Sequence, residues 1–436
     1  MQKVIVVGAG LAGVEATYFL INKGIKVDLY EQRPIKSTGA HHSGDFGELV
    51  CSNSLKSNNL DNACGLLKEE MRLMNSLTMK AANETRVPAG NALSVDRDLF
   101  AKYITNVIKN HPLVTFHNEE YSDFSLNNDD LIIVATGPLS SHNIIENLEK
   151  ITGEKMFSFF DACAPIVEKN SIDFNKAYFK SRYEQGDNSY INCAMNKEEY
   201  EKFYNELINA ELADTHDFDK NYFEGCMPIE VMARRGEKTL RYGPLKPMGL
   251  RRTPEDRPYA VVQLRQDNVI GSLYNIVGFQ TNLTYSEQKK VFSLIPGLEN
   301  AKYVRYGLMH RNTYICAPKH LNKDLSLKNA NNIFIAGQLS GVEGYVESAC
   351  SGIIAALSVY KRLKNEEFVI PPINTMIGAL LNYLSICSPV NFSPMNANYG
   401  IIVRDPKLEK IEVSKIALAT LKEWWIHNYE WWNQHV

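Results

Sequence analysis

The turn GAGLAG, residues 8–13, limits what this chain can fold into more than any other stretch. It sits inside KVIVVGAGLAGVEATYFLINKGIKVDLYEQR, residues 3–33. The apolar Val4-Ile5-Val6-Val7 run reads as a buried strand. Gly8, Gly10 and Gly13 then fit G-x-G-x-x-G. The pattern predicts a helix from Ala12 to Ile21 and a second strand from Lys26 to Tyr30. Glu31 ends that strand, about 20 residues after the glycines, as the fingerprint requires. Gly8 permits the tight turn, Gly10 lets the backbone approach a pyrophosphate, and Gly13 lets helix and strand pack closely. The helix N-terminus faces the anion. Glu31 is placed to accept hydrogen bonds from a ribose, with Arg33 beside it at the same site. The competing reading is a glycine-rich turn with no ligand.

Two later stretches decide which dinucleotide is expected. LIIVATGP, 131–138, is a buried strand ending in Ala135-Thr136-Gly137. NNIFIAGQLSGVEGYVESACSG, 331–352, is another strand, then Gly337 and Gln338, then Glu343, Gly344 and Tyr345 ahead of a small-residue helix. A second glycine-rich strand end, far down the chain, suits FAD: the ADP half takes the first turn and the flavin half the second. Either segment alone would pass for an ordinary parallel strand and its turn. No second complete G-x-G-x-x-G with a following acid occurs, so no fixed nicotinamide site is visible.

These strands imply an α/β fold, an FAD-binding Rossmann-like domain of the glutathione-reductase type. The 436 residues exceed one simple core. Residues 1–180 and 318–436 read as one discontinuous FAD-binding domain with a C-terminal helical tail. Residues 181–317, rich in Tyr, Arg and Glu, read as an inserted α+β domain. NKEEYEKFYNELINAEL, 196–212, is an amphipathic helix there; YAVVQLRQ and the stretch around Tyr274 to Phe279 are strands. The eight cysteines form no CxxC pair, which argues against a zinc ribbon or a thioredoxin-type site, and no metal is expected. Residues 1–3 lead straight into a strand without a secretory signal, and the longest apolar run, Val4 to Val14, is too short to span a membrane. A cytoplasmic protein with reduced thiols is the expectation. Oligomeric state is not legible.

Two features remain outside that frame. Val231 to Arg265 carries nine Arg and Lys against three acids, a surplus of six positive charges in a chain of net charge −3. Arg234, Arg235, Arg251 and Arg252 head it, and Arg makes planar bidentate contacts with phosphate. A nucleic acid or a polyglutamylated cofactor is the partner this suggests, a solvated face the plain alternative. The four tryptophans fall in the tail as Trp424-Trp425 and Trp431-Trp432, one heptad apart. That spacing favours a helix docking its aromatic face on the body over a base-stacking platform.

Flavin, thiol and nucleic acid together suggest methylation of a pyrimidine at C5. Uracil C5 is a poor nucleophile, and thiolate attack at C6 turns it into an enolate carbon. Cys51 in FGELVCSNSLKS and Cys226 in EGCMPIE are the candidate thiols. At these residues the chain resembles the bacterial folate- and FAD-dependent RNA uracil-5-methyltransferases. The resemblance runs to about residue 400 through HHSGDFGELVCSNSL, VPAGNALSVDR, SRYEQGDNSYINCAMNKEEYEKF, FEGCMPIEVMARRGEKTLRYGPLKPMGL, YNIVGFQTNL, IPGLENAKYVRYGLMHRNTYI and AGQLSGVEGYVESACSG.

The resemblance implies that NAD(P)H reduces FAD, that the flavin takes methylene from 5,10-methylenetetrahydrofolate to uracil C5, and that flavin electrons complete the methyl group. It implicates Cys51 and Cys226 in catalysis. Cys226 is assigned as the C6 nucleophile and Cys51 as the thiol beside the flavin, with the reverse as the alternative. Glu343, Tyr345 and Arg311 match the family's flavin- and folate-side motifs. Most of the family acts on the T-loop uridine of tRNA, which must leave its stack; part of it acts on 23S ribosomal RNA. Lys56-Ser57, Asn91 and NANYGIIVRDP depart from the family pattern and bear on the choice of RNA. The rival readings are the longer MnmG-type protein that modifies the wobble uridine, a non-catalytic RNA-binding flavoprotein, and an NAD(P)H-flavin oxidoreductase with a small-molecule substrate.

Overall fold

A computed structural model describes residues 3–124, 130–182, 190–213 and 227–429. The buried strand Val4–Val7 lies inside a six-stranded sheet. Its neighbours are Val27–Tyr30 and Leu131–Val134, both parallel, with Ile5 opposite Asp28 and Ile132. Val114–His117 and Ala330–Ile335 extend the parallel array, and Ser326–Leu327 adds one short antiparallel edge. The Val4–Val7 and Leu131–Val134 side chains are buried throughout, as a parallel sheet covered on both faces demands. The first helix, Leu11–Asn22, packs on Tyr345–Leu363, so the two glycine-rich turns open helices that touch.

A second six-stranded sheet is built from Tyr178–Phe179, Tyr190–Met195, Ala260–Gln266, Leu273–Ile276, Ile166–Glu168 and Tyr303–Arg305, antiparallel at every pairing. Lys197–Asn209 covers it, opened by a capping box between Asn196 and Glu199. This sheet has its own core around Tyr200, Phe203, Phe279 and Phe292, which shares no residue with the core of the first sheet. Two of its strands, Ile166–Glu168 and Tyr178–Phe179, precede residue 181. Phe157–Ala162 and Met309–Tyr314 pair antiparallel where the chain leaves and re-enters the first domain. Strands on both sides of residue 181 thus pair within the second sheet. Both earlier strands are short, and Ile166–Glu168 gains its pairing from residues more than a hundred positions away, so local composition does not mark them.

The tail forms the helix Lys410–Tyr429. Trp424 and Trp425 are buried, and Trp425 meets Phe19 edge-on, with ring centroids 6.5 Å apart. For this pair the docking reading holds, since buried rings offer no face to a base. Trp431 and Trp432 lie outside the described residues.

Candidate active site

The carboxyl ends of the parallel strands open into one cavity of about 620 Å³. Gly8, Gly10, Glu31, Arg33, Ala135, Thr136, Gly137, Gly337, Gln338, Glu343, Gly344 and Tyr345, all expected at the cofactor site, line it together with Cys51. Gly13 does not. It lies one layer back, where a Cβ would sit 1.8 Å from the Gly8 carbonyl oxygen. Its role is the close packing that shapes the turn. Gly8, at φ +99°, could not carry a side chain either, since a Cβ there would lie 2.6 Å from the Ala135 oxygen.

The longer helices start in two ways. Asn62, Ser76, Asp96, Ser141, Asn196, Thr284 and Thr375 cap their helices with side-chain oxygens. The helices at Leu11 and Tyr345 begin at Gly10 and Gly344 and have no side-chain cap. Two uncapped N-termini facing one cavity fit a ligand that carries a pyrophosphate at one end and an electron-accepting ring at the other. FAD has that form, and the first-turn residues suit its ADP half.

Glu31 is held rigidly. Its carboxylate accepts the Ala9 amide at 2.9 Å, the Arg33 amide at 2.9 Å and the Arg33 guanidinium at 3.1 and 3.2 Å. Burial opposes its ionisation, but the Arg33 charge and these bonds outweigh it and hold the carboxyl below its ordinary value. Arg33 also reaches Glu48 at 3.2 Å, so it orients two carboxylates and is itself only 3% exposed.

Cys51 lies on the opposite wall. The Tyr345 hydroxyl accepts the Cys51 amide at 2.7 Å and the Ser52 amide at 3.1 Å, and lies 2.9 Å from the Cys51 sulfur. With both lone-pair directions taken by amides, the phenol proton points to sulfur. Burial, then the sulfur's own charge, push the Tyr345 hydroxyl well above its ordinary pKa, so it keeps that proton. Other cysteines contrast with this. Burial pushes the thiols of Cys64, Cys193, Cys316 and Cys350 upward, which makes them inert.

Arg234, Arg235, Arg251, Arg252 and Arg311 are not part of the cavity wall. Cys226 lies outside the described residues. Arg234, Arg235, Arg251, Arg252 and Arg311 are exposed on the insertion and its connecting strand. Arg252 donates to the Asn175 carbonyl at 3.0 Å, and Arg234 reaches the Ile208 carbonyl at 3.4 Å. The cavity also takes Ser52, Lys56, Arg265 and Asn312, which sequence reasoning did not assign. Lys56, one of the departures from the family pattern, sits at φ +64° with its ammonium 3.9 Å from Glu347. Among the described residues no group of three or more His, Cys, Asp or Glu could hold a metal ion, and no helix is long and apolar enough to cross a membrane.

This arrangement defines a flavoprotein of the dinucleotide-binding class, with a thiol on the cavity wall. The chain belongs to the glucose inhibited division protein A family, which it matches over residues 3–367, and within it to the methylenetetrahydrofolate–tRNA-(uracil-5-)-methyltransferases TrmFO. It is 52% identical to the protein of that name from Listeria monocytogenes over 410 residues, 94% of this chain and 93% of that one. The Lactobacillus johnsonii protein is 52% identical over 430 residues, 97% of this chain and 98% of that one. In structure the chain is similar to GidA of Aquifex aeolicus, with a TM-score of 0.68 at 17% identity, over 97% of this chain and 73% of that one. The last likeness concerns the fold alone.

Proposed function

We propose that this protein methylates C5 of a uridine in tRNA, the T-loop uridine being the target, with 5,10-methylenetetrahydrofolate as carbon donor and NAD(P)H as reductant. The observation that carries this reading is the convergence of both glycine turns and Cys51 on one cavity, in a chain half identical to named methyltransferases over nearly its whole length. FAD, when bound and reduced, supplies the electrons and the relay for the one-carbon unit. Gly8, Gly10 and the Leu11 helix N-terminus hold the pyrophosphate, and Glu31 the ribose. Gly337, Gln338, Glu343, Gly344 and the Tyr345 helix N-terminus hold the flavin end. Cys51, oriented by Tyr345, acts on the flavin side. Cys226 attacks uracil C6, so that C5 gains enolate character. Arg234, Arg235, Arg251, Arg252 and Arg311 hold RNA phosphates and folate carboxylates. The work is cytoplasmic, where its RNA and reductant are.

Purified protein is expected to be yellow and to convert uridine to 5-methyluridine only with methylenetetrahydrofolate and NAD(P)H. Activity with S-adenosylmethionine in their place would overturn the reading. Cys226→Ala should abolish the covalent adduct with 5-fluorouridine RNA and keep its FAD. An adduct that survives there and disappears in Cys51→Ala exchanges the two thiol roles. Mapping 5-methyluridine in tRNA and 23S ribosomal RNA from cells with and without the gene tests the target.

A further inference from the structure

The loop from Leu49 to Asn53 is gripped from several sides by residues remote in sequence. Arg97 Nη1 donates to the Leu49 carbonyl at 2.9 Å. Arg265, at the end of the insertion's strand Ala260–Gln266, donates through Nη2 to Ser52 Oγ at 2.8 Å and through Nε to Asn53 Oδ1 at 3.1 Å. Asn53 Nδ2 donates in turn to the carbonyls of Val95 and Gln266. Cys163 Sγ lies 3.4 Å from the Val50 carbonyl. Tyr345 completes the grip at Cys51 itself.

The charges in this grip do not balance. Arg265 is buried and Arg97 is only 10% exposed, and Asp267 is the carboxylate placed between their elements. Arg97 binds Asp267 through Nε and Nη2 at 3.1–3.2 Å. Arg265 meets neutral oxygens on the Cys51 loop and the Tyr190 hydroxyl, with Asp267 as its nearby carboxylate and Arg97 opposing it. The other acids near the loop have donors of their own. Asp96 caps its helix and accepts the Val269 amide. Glu48 holds Arg33 and the amides of His42 and Ser43. Glu347 accepts the Ala397 amide and faces Lys56, and Glu343 accepts from Gln338. Of the two imidazoles upstream, His41 is pushed down to about 4 by burial and Arg33, and His42 is held below its ordinary pKa by burial and Arg305. Among the described residues, one buried and one nearly buried guanidinium therefore share the Asp267 carboxylate, and a buried surplus cation is costly unless an anion answers it.

We propose that Arg97 and Arg265 are positioning residues that place Cys51 and keep its sulfur as the thiolate, the thiolate being the second anion of the Arg97–Asp267–Arg265 cluster. The Tyr345 hydroxyl, donating to sulfur, supplies the hydrogen bond that a thiolate accepts. Because Arg265 belongs to the insertion and Cys51 to the FAD-binding domain, the thiolate forms only when the two domains are docked in this arrangement. The proposal rests on the reading of Cys51 as a working thiol, yet its test needs neither folate nor RNA.

The test is the difference in thiolate ultraviolet absorbance between the FAD-loaded protein and its Cys51→Ala variant, followed against pH. The midpoint should lie below the ordinary thiol value of about 8.5. Arg265→Gln should raise it by about one unit, and Arg265→Lys should restore most of the shift. Asp267→Asn should move it the other way, since it removes the competing anion; a purely structural role predicts no such opposition of sign. A midpoint at or above the ordinary value, or one unmoved by Arg265→Gln in protein that retains FAD, overturns the proposal. If the midpoint behaves as stated and methyl transfer is absent, the functional reading fails and the cluster stands.

Discussion

The glycine cradle and the arginine segment of the insertion are the two proposed phosphate sites, and they are built on opposite principles. The cradle binds with backbone and is buried. A Cβ at Gly8 or Gly13 has nowhere to go. The arginine segment binds with side chains and is exposed at Arg234, Arg235, Arg251 and Arg252. Backbone sites are specific because the fold sets every donor, and they tolerate no substitution. Side-chain sites are graded, since each guanidinium adds a screened increment that salt can remove. On the proposed reading, one protein would keep its cofactor and release its RNA.

Gly13→Val should break the cradle outright. The Cβ would lie 1.8 Å from the Gly8 oxygen, so the turn must open. The expected result is protein without flavin colour and with a lowered melting temperature; a yellow Gly13→Val protein would refute the cradle account. Replacing Arg234, Arg235, Arg251 and Arg252 together by Ala should leave the flavin in place and weaken RNA binding by about ten- to a hundredfold at low salt, with the slope of log affinity on log salt reduced by about one per lost phosphate contact. An unchanged slope would return the segment to the status of a solvated face.

The smallest effect concerns pH. Burial pushes the Glu70 carboxyl up to about 8, against the Met376 and Ile377 amides that it accepts at 2.7 and 2.8 Å. The folded state then binds a proton that the unfolded chain has released above its ordinary carboxyl pKa. Glu70 therefore contributes stability that is complete below about pH 4 and is lost as pH rises through 8. Glu70→Gln should flatten part of the decline in melting temperature between about pH 5 and 8. The cradle domain would answer to pH and the insertion to salt; an RNA affinity as steep in pH as the melting temperature would blur that division.

What was legible in the sequence follows the same division. Gly8, Gly10, Glu31 and the Gly337–Tyr345 turn were readable because their demands are local: a positive φ, a missing Cβ, an acid at a set distance. The strands they join were readable from unbroken apolar runs. The surroundings of Cys51 were not. Tyr345 is 294 positions away from it, Arg265 is 213 from Ser52, and Arg97 is 170 from Asp267. No spacing rule joins such residues, and Arg97 in SVDRDLF looks like any surface arginine at a helix start. Arg265 was counted as one more charge in a basic run, although the alternation of its strand turns it inward. The strands Ile166–Glu168 and Tyr178–Phe179 were not legible for a related reason, since three-residue and two-residue strands carry almost no pattern of their own.

One contact behind the cavity links its two ends. Gly352 lies against the first helix so closely that a Cβ would be 2.1 Å from the Ala12 oxygen, while Gly337 has Ala12 Cβ 3.3 Å from where its own would be. The helices that open at Gly10 and at Gly344 are thus riveted to each other one turn or two from their tips. The distance between the phosphate seat and the ring seat is a fixed gauge, set by glycine at a point no ligand touches. A methyl group at Gly352 would act as a shim, lengthening the gauge while leaving every lining residue in place.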